Sequence, residues 1–234
     1  LTQPVLSTHA LVAQYGDTRA LFGVDLVAEP GEIVALVGAN GAGKTTVLRS
    51  ICGLLPVARE AVRFLGEPVG GQPAHRLVAR GIAMVPEGRK LFASLSIEEN
   101  LRIGAWSGRP GHWTLDRIYE LFPVLRERRH LPPGTLSGGQ QQMVAIGRAL
   151  MANPVLLLCD EISLGLAPVV IRDVYAALST VSAQGTTLLV VEQDVSLAQR
   201  IAGRLYCLRK GAVALAGASA ALSRDDIRLA YFGM

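Results

Sequence analysis

The stretch Gly38-Ala39-Asn40-Gly41-Ala42-Gly43-Lys44-Thr45 decides the fold. It fits the spacing glycine, four residues, Gly-Lys-Ser/Thr without a mismatch. An apolar, strand-like run precedes it at residues 33–37, and a helical pattern follows over residues 45–53. Each residue type has a task. The glycines let the backbone turn so that successive N–H groups face phosphate oxygens. The helix that follows adds the positive end of its dipole. Lys44 supplies a cation to the β- and γ-phosphates, and Thr45 supplies a hydroxyl ligand for Mg²⁺. The competing reading is a glycine-rich turn without a ligand. The strand before, the helix after and Lys-Thr in register all weigh against it.

The other half of such a site is expected at the end of Leu156-Leu157-Leu158-Cys159-Asp160-Glu161. An aliphatic strand ending in two acids puts carboxylates at the carboxyl edge of a sheet, where α/β folds bind ligands. Asp160 is expected to hold Mg²⁺ through water, and Glu161 to orient and polarise the attacking water. Residues 81–85 and 187–191 read as further strands. Residues 169–184 have helical spacing and stop at Gly185, a plausible cap. This alternation predicts an α/β fold with a largely parallel central sheet. Two regions depart from it. Residues 24–27, the Pro30-Gly31 turn and residues 62–64 suggest a small antiparallel sheet. Residues 91–133 read as mostly helical, with a capping box at Ser96 and Glu99 and a second helix over residues 115–125. A last helix is expected over residues 219–232.

Half of the 234 residues are apolar, 18% are charged and the net charge is +4. That composition belongs to a globular chain and excludes a disordered one. The mildly basic balance suits nucleotide phosphates or an anionic membrane face, but without a long basic run it reads as a scattered surface. Cys52, Cys159 and Cys207 sit among apolar residues and read as reduced core thiols. His9, His75, His112 and His130 lack metal-ligand spacing. No apolar run approaches the ~18–20 residues that span a bilayer, and no signal-peptide pattern opens the chain, so any membrane role is expected to be peripheral.

Leu136-Ser137-Gly138-Gly139-Gln140 opens a further helix, with Ser137 as N-cap and Gln140 at capping-box spacing. Its two glycines each cost a helix roughly 1 kcal/mol against alanine. They make sense where backbone N–H groups must lie against an anion. Together with the phosphate loop and the aliphatic-Asp-Glu strand, this pentapeptide resembles that of the ABC transporter ATP-binding subunits. The resemblance runs from Val5 to Gly233. It implies a P-loop NTPase cassette: a RecA-like α/β core, an N-terminal antiparallel β subdomain and an inserted helical subdomain at about residues 89–153, all in one nucleotide-binding domain of residues 1–234. It implies ATP and Mg²⁺ as cofactors, bound by residues 38–46 including Thr46, with Tyr15 stacked on adenine. It also implies a head-to-tail pair in which Ser137, Gly138, Gly139 and Gln140 meet the nucleotide of the partner chain.

Within that family, the stretches GANGAGKTT (38–46), VPEGR (85–89), SIEENL (96–101), SLGLAP (163–168) and VEQD (191–194) are similar to the LivF type, ATPases of branched-chain amino-acid importers. The resemblance implies a second cassette, different or identical, two transmembrane permease subunits, an indirectly engaged solute-binding protein and a peripheral place on the cytoplasmic face of the inner membrane. It implies no nucleic-acid partner. Importers of urea or short amides use similar subunits, and a soluble ABC ATPase is a further alternative. Glu87 stands where most cassettes carry the glutamine that touches Mg²⁺. Gln193 stands where most carry the switch histidine, and is expected to sense the γ-phosphate weakly because an amide cannot become cationic. Ile162 replaces a proline, which suggests a looser turn after Glu161. Phe92 reads equally as helical core or as part of a groove for a membrane subunit; Ile97 reads as core.

Overall fold

In the computed structural model, which describes residues 3–233, ten strands form two sheets. The first sheet takes strands β1 (Leu6–Tyr15), β2 (Thr18–Ala28), β4 (Val62–Phe64) and β5 (Glu67–Pro68), ordered β2-β1-β4-β5 and antiparallel throughout. Gly16 and Asp17 make the tight β1–β2 turn, with Tyr15 paired to Thr18 and Gly16 at a φ of 56°. A primed turn of this kind needs that left-handed backbone.

The second sheet takes β3 (Ile33–Val37), β6 (Ile82–Val85), β7 (Leu156–Asp160), β8 (Thr187–Glu192), β9 (Arg204–Arg209) and β10 (Ala212–Ala218). Its order is β10-β9-β3-β8-β7-β6, parallel except for the β9–β10 hairpin at its edge. The central strands are apolar on both faces, and their two-residue period sorts them. Leu156, Leu158, Leu189 and Val191 pack with the first sheet and with α1 (Lys44–Ile51). Leu157, Cys159, Leu188 and Val190 pack on the opposite face, against α6 (Gly138–Leu150) and α7 (Pro168–Ala183). Each such side chain stabilises the fold by about 1.5–3 kcal/mol relative to exposure. A smaller cluster joins Ala35 and Val37 to α8 (Val195–Ile201) and α9 (Arg224–Phe232).

Helices α2 (Ala74–Arg80), α3 (Ile97–Ile103), α4 (Leu115–Leu121) and α5 (Pro123–Glu127) complete the chain. Between β6 and β7 lie α3 to α6, with both expected capping boxes formed, at Ser96–Glu99 and at Ser137–Gln140. Two expected helices are shorter than the sequence suggests. Residues 115–125 divide because Pro123 cannot donate a helical N–H and restricts Phe122, which sits at φ −134° and ψ 77°. Residues 219–232 divide into a short 3-10 turn at Ser219–Ala221 and α9, whose N-cap is Ser223. The three cysteines are free and buried, and Ile97 is fully buried.

Candidate active site

The 38–45 loop leaves the carboxyl end of β3 and enters α1. Two glycines are there for close approach. A Cβ at Gly38 would lie 2.3 Å from the Leu208 carbonyl oxygen, and one at Gly43 would lie 2.8 Å from Leu21 Cδ2. Gly43 also sits at a φ of 107°, where a side chain is strained. The resulting turn folds over Lys44, which is buried. Its Nζ donates to the carbonyls of Gly38 at 2.8 Å and Ala39 at 3.3 Å, and lies 3.3 Å from Glu161 Oε1. Thr45 Oγ1 donates to Asp160 Oδ1 at 3.1 Å.

Asp160 and Glu161 follow from the end of β7. Burial pushes the Asp160 carboxyl up to about 6, and the negative charges of Glu161 and Glu87 push the same way against the Thr45 hydrogen bond. Glu161 has a left-handed backbone, with φ at 46°, and its Oε2 accepts a hydrogen bond from Gln193 Nε2. Both oxygens of Glu161 are therefore engaged, one by a cation and one by an amide. The turn beyond is held tightly. Ile162 is buried in the core, Glu161 N donates to the Val191 carbonyl at 3.1 Å, and Ser163 donates twice to Glu192. The apolar side chain thus anchors by burial where a proline would act by stiffness.

A cavity of about 700 Å³ opens in front of these groups. Asn40, Gly41, Gly43, Lys44, Thr45, Thr46, Glu87, Glu161 and Gln193 line it. Gly38 and Ala42 stand behind the loop, where the Ala42 carbonyl accepts from Gly211 N at 2.9 Å. Tyr15 ends β1 outside this lining, half exposed, with its hydroxyl 3.5 Å from Thr46 Oγ1. The rest of the lining was not read from the sequence: Thr18, Arg19, Ala20, Phe22, Leu164, Lys210 and Gly211. Lys210 and Gly211 form the β9–β10 turn, with φ values of 48° and 78°. A Lys-Gly pair between two apolar runs is the available signal for such a hairpin.

Thr45, Asp160 and Glu87 offer hydroxyl and carboxylate oxygens, a hard donor set that fits Mg²⁺. Among the described residues no three His, Cys, Asp or Glu side chains gather as a metal cage. The set is therefore partial, as suits a cation that shares its coordination with waters and phosphate oxygens.

The sequence pattern of the family described as ABC transporter matches residues 21–163. The chain belongs to the ABC transporter family, as an ATPase cassette. The cassette is 42% identical over 232 residues to BraG of Pseudomonas aeruginosa, a high-affinity branched-chain amino acid transport ATP-binding protein, covering 98% of this chain and 100% of that one. It is 35% identical to LivF of Archaeoglobus fulgidus, a probable branched-chain amino acid transport ATP-binding protein, covering 91% and 92% of the two chains. Among solved structures, a nucleotide-free ATP-binding cassette from an ABC transporter superposes with a TM-score of 0.84 at 26% identity, over 99% of this chain and 96% of that one. A dimeric bacterial ABC transporter cassette superposes at 0.80 with 26% identity, over 92% and 98%.

In the cassette, Ser137, Gly138, Gly139 and Gln140 open α6 and take no part in lining the cavity. Ser137 is exposed; its Oγ accepts from Gln140 N at 3.3 Å, and Gln140 Oε1 accepts from Ser137 N at 3.0 Å. Gly139 has a reason beyond anion binding: a Cβ there would meet Val170 Cγ1 of α7 at 2.3 Å. Helix α6 also grips the segment after Glu87. Arg89 Nη1 donates to Gln141 Oε1 at 3.1 Å, and Arg148 donates to the carbonyls of Arg89 and Lys90 at 2.9 and 2.8 Å. Arg89 and Lys90 both have left-handed backbones, so those bonds hold a strained turn. Beside it lies a second cavity of about 440 Å³, where Phe92, Ile103 and Trp106 are exposed and Lys90 and Arg148 add charge. Phe92 thus lies exposed at this cavity and not in the helical core, under the Arg148 guanidinium at 5.5 Å.

Proposed function

We propose that this cassette hydrolyses Mg·ATP to drive an importer of branched-chain amino acids, as one of a head-to-tail pair peripheral to the cytoplasmic face of the inner membrane. One observation carries the pairing. The phosphate loop, Glu87, Glu161 and Gln193 line one cavity, with Asp160 buried behind Thr45, while Ser137–Gln140 lie elsewhere on the same chain. A second cassette is then needed to bring backbone donors of this kind over the nucleotide. Similarity to BraG along the whole chain supports the cargo.

In this reading the N–H groups of residues 38–46 cradle the phosphates. Lys44 exchanges Glu161 for a phosphate oxygen, which frees that carboxylate to orient and polarise the attacking water. Mg²⁺, held by Thr45, Asp160 and Glu87, supplies charge neutralisation on the γ-phosphoryl group. Gln193 acts first on Glu161, to which it donates, and through it on the γ-phosphate region. Tyr15 packs on the adenine at the mouth. Pairing brings Ser137 and Gly139 of the partner to the same phosphate. The exposed groove of Phe92, Ile103 and Trp106 takes the apolar face of a short helix from a permease subunit. The single-domain organisation, with residues 89–153 as the helical subdomain, follows from the same reading.

The test is affinity purification through a tag on this chain from detergent-solubilised native membranes. Two different multi-span proteins and a second cassette are expected. Recovery of soluble partners alone would move the cassette to a function outside transport. A co-purifying permease whose binding protein takes urea and not leucine would correct the cargo.

A further inference from the structure

Glu192 closes β8, next to Gln193. Its side chain is 1% exposed, and none of the ion pairs among the described residues includes it. Hydrogen bonds hold it instead. Ser163 Oγ donates to Oε2 at 2.6 Å, Ser163 N donates to Oε1 at 3.3 Å, and the Tyr175 hydroxyl also donates to Oε1. The donors come from two other elements, the turn after Glu161 and helix α7. Burying a carboxylate without a cation is costly, and a strand end needing only structure is served as well by an apolar side chain.

The clamp has a definite consequence. Glu161 N bonds the Val191 carbonyl, and two residues on Ser163 bonds Glu192, so the turn carrying Glu161 is pinned to β8 on both sides of Ile162. The same strand end carries Gln193, whose amide donates to Glu161. One buried carboxylate therefore sets the spacing between the two. It lines no part of the nucleotide cavity.

We propose that Glu192, clamped by Ser163 and Tyr175, is a positioning residue for ATP hydrolysis that holds Glu161 and Gln193 in their working arrangement. The proposal rests on the reading of Glu161 as the group that orients the attacking water. Its consequence is a loss in turnover without a loss in nucleotide binding, because the clamping hydroxyls of Ser163 and Tyr175 make no contact with the phosphate loop and line no part of its cavity.

The test uses the complex recovered from native membranes through a tag on this chain. Ser163→Ala and Tyr175→Phe each delete one hydroxyl, and Ser163→Thr keeps it. Turnover kinetics and binding of a fluorescent ATP analogue are measured on each, with Glu161→Gln alongside. The expected result is a fall in kcat of roughly five- to tenfold for each deletion, with KM and analogue affinity within about twofold, and recovery of most of kcat in Ser163→Thr. Unchanged kcat in both deletions, or kcat and affinity falling together with thermal stability, would overturn the proposal. If Glu161→Gln abolishes turnover and the deletions do not touch it, only the positioning role falls. If Glu161→Gln turns over normally, the reading beneath it falls as well.

Discussion

Asp160 shows what the site costs the fold. Its carboxyl is buried beside Glu161 and Glu87, and keeps its proton up to about pH 6 against an ordinary value of 3.8. Between those two values the folded chain binds more protons than the unfolded one, so stability falls as pH rises through that window. Asp160→Asn removes the penalty and preserves an acceptor for Thr45. In thermal melts without nucleotide, the variant should gain in Tm over the parent at pH 8 and lose that gain at pH 4. Equal melting temperatures at both values would contradict the assignment. The acids themselves were legible in the sequence, because an aliphatic run ending in Asp-Glu beside a phosphate loop admits few readings. Glu192 was not, since its role depends on where β8 ends and on a hydroxyl from α7.

Among the elements, α6 does more than present Ser137 and the glycines. Arg148, near its carboxyl end, bonds the carbonyls of Arg89 and Lys90, two left-handed residues beyond Glu87. Hydrogen bonds from a charged donor contribute about 1.5–3 kcal/mol each, so Arg148→Gln should lower stability by an amount on the order of 2 kcal/mol. It should also release the turn, and trypsin should then cut after Arg89 or Lys90 faster than in the parent. An unchanged tryptic pattern would show that the turn holds itself. The elements differ in how plainly the sequence announces them. Strands β3, β7 and β8 are continuous aliphatic runs, buried on both faces. Strand β1 escapes the two-residue pattern because its register shifts between Thr8 and Leu11, with Ala10 at a φ of 44°. Strand β10, mostly alanine and glycine, has Val213 as its one β-branched side chain and so carries little of the pattern that marks strands. The short helices α2 and α8, seven residues each, are too brief for a helical period to stand out.

On the scale of the whole molecule, the separation of Ser137–Gln140 from the cavity supports the proposed reading of the cassette as half of a catalytic unit. Ser137→Asp keeps an N-cap side chain while placing a negative charge where a partner's phosphate is to lie. Binding of ATP by the variant should stay within about twofold of the parent while turnover falls at least tenfold, because only the paired state meets residue 137. Parallel losses in binding and turnover would place Ser137 in its own chain's site instead. The most direct measurement for the account as a whole is ATP turnover and ATP retention by Glu161→Gln in the complex from native membranes, with radiolabelled ATP. The account predicts that the variant binds and retains ATP unhydrolysed, with turnover lost. Hydrolysis at the parent's rate would contradict it, and would remove Glu161 from the chemistry.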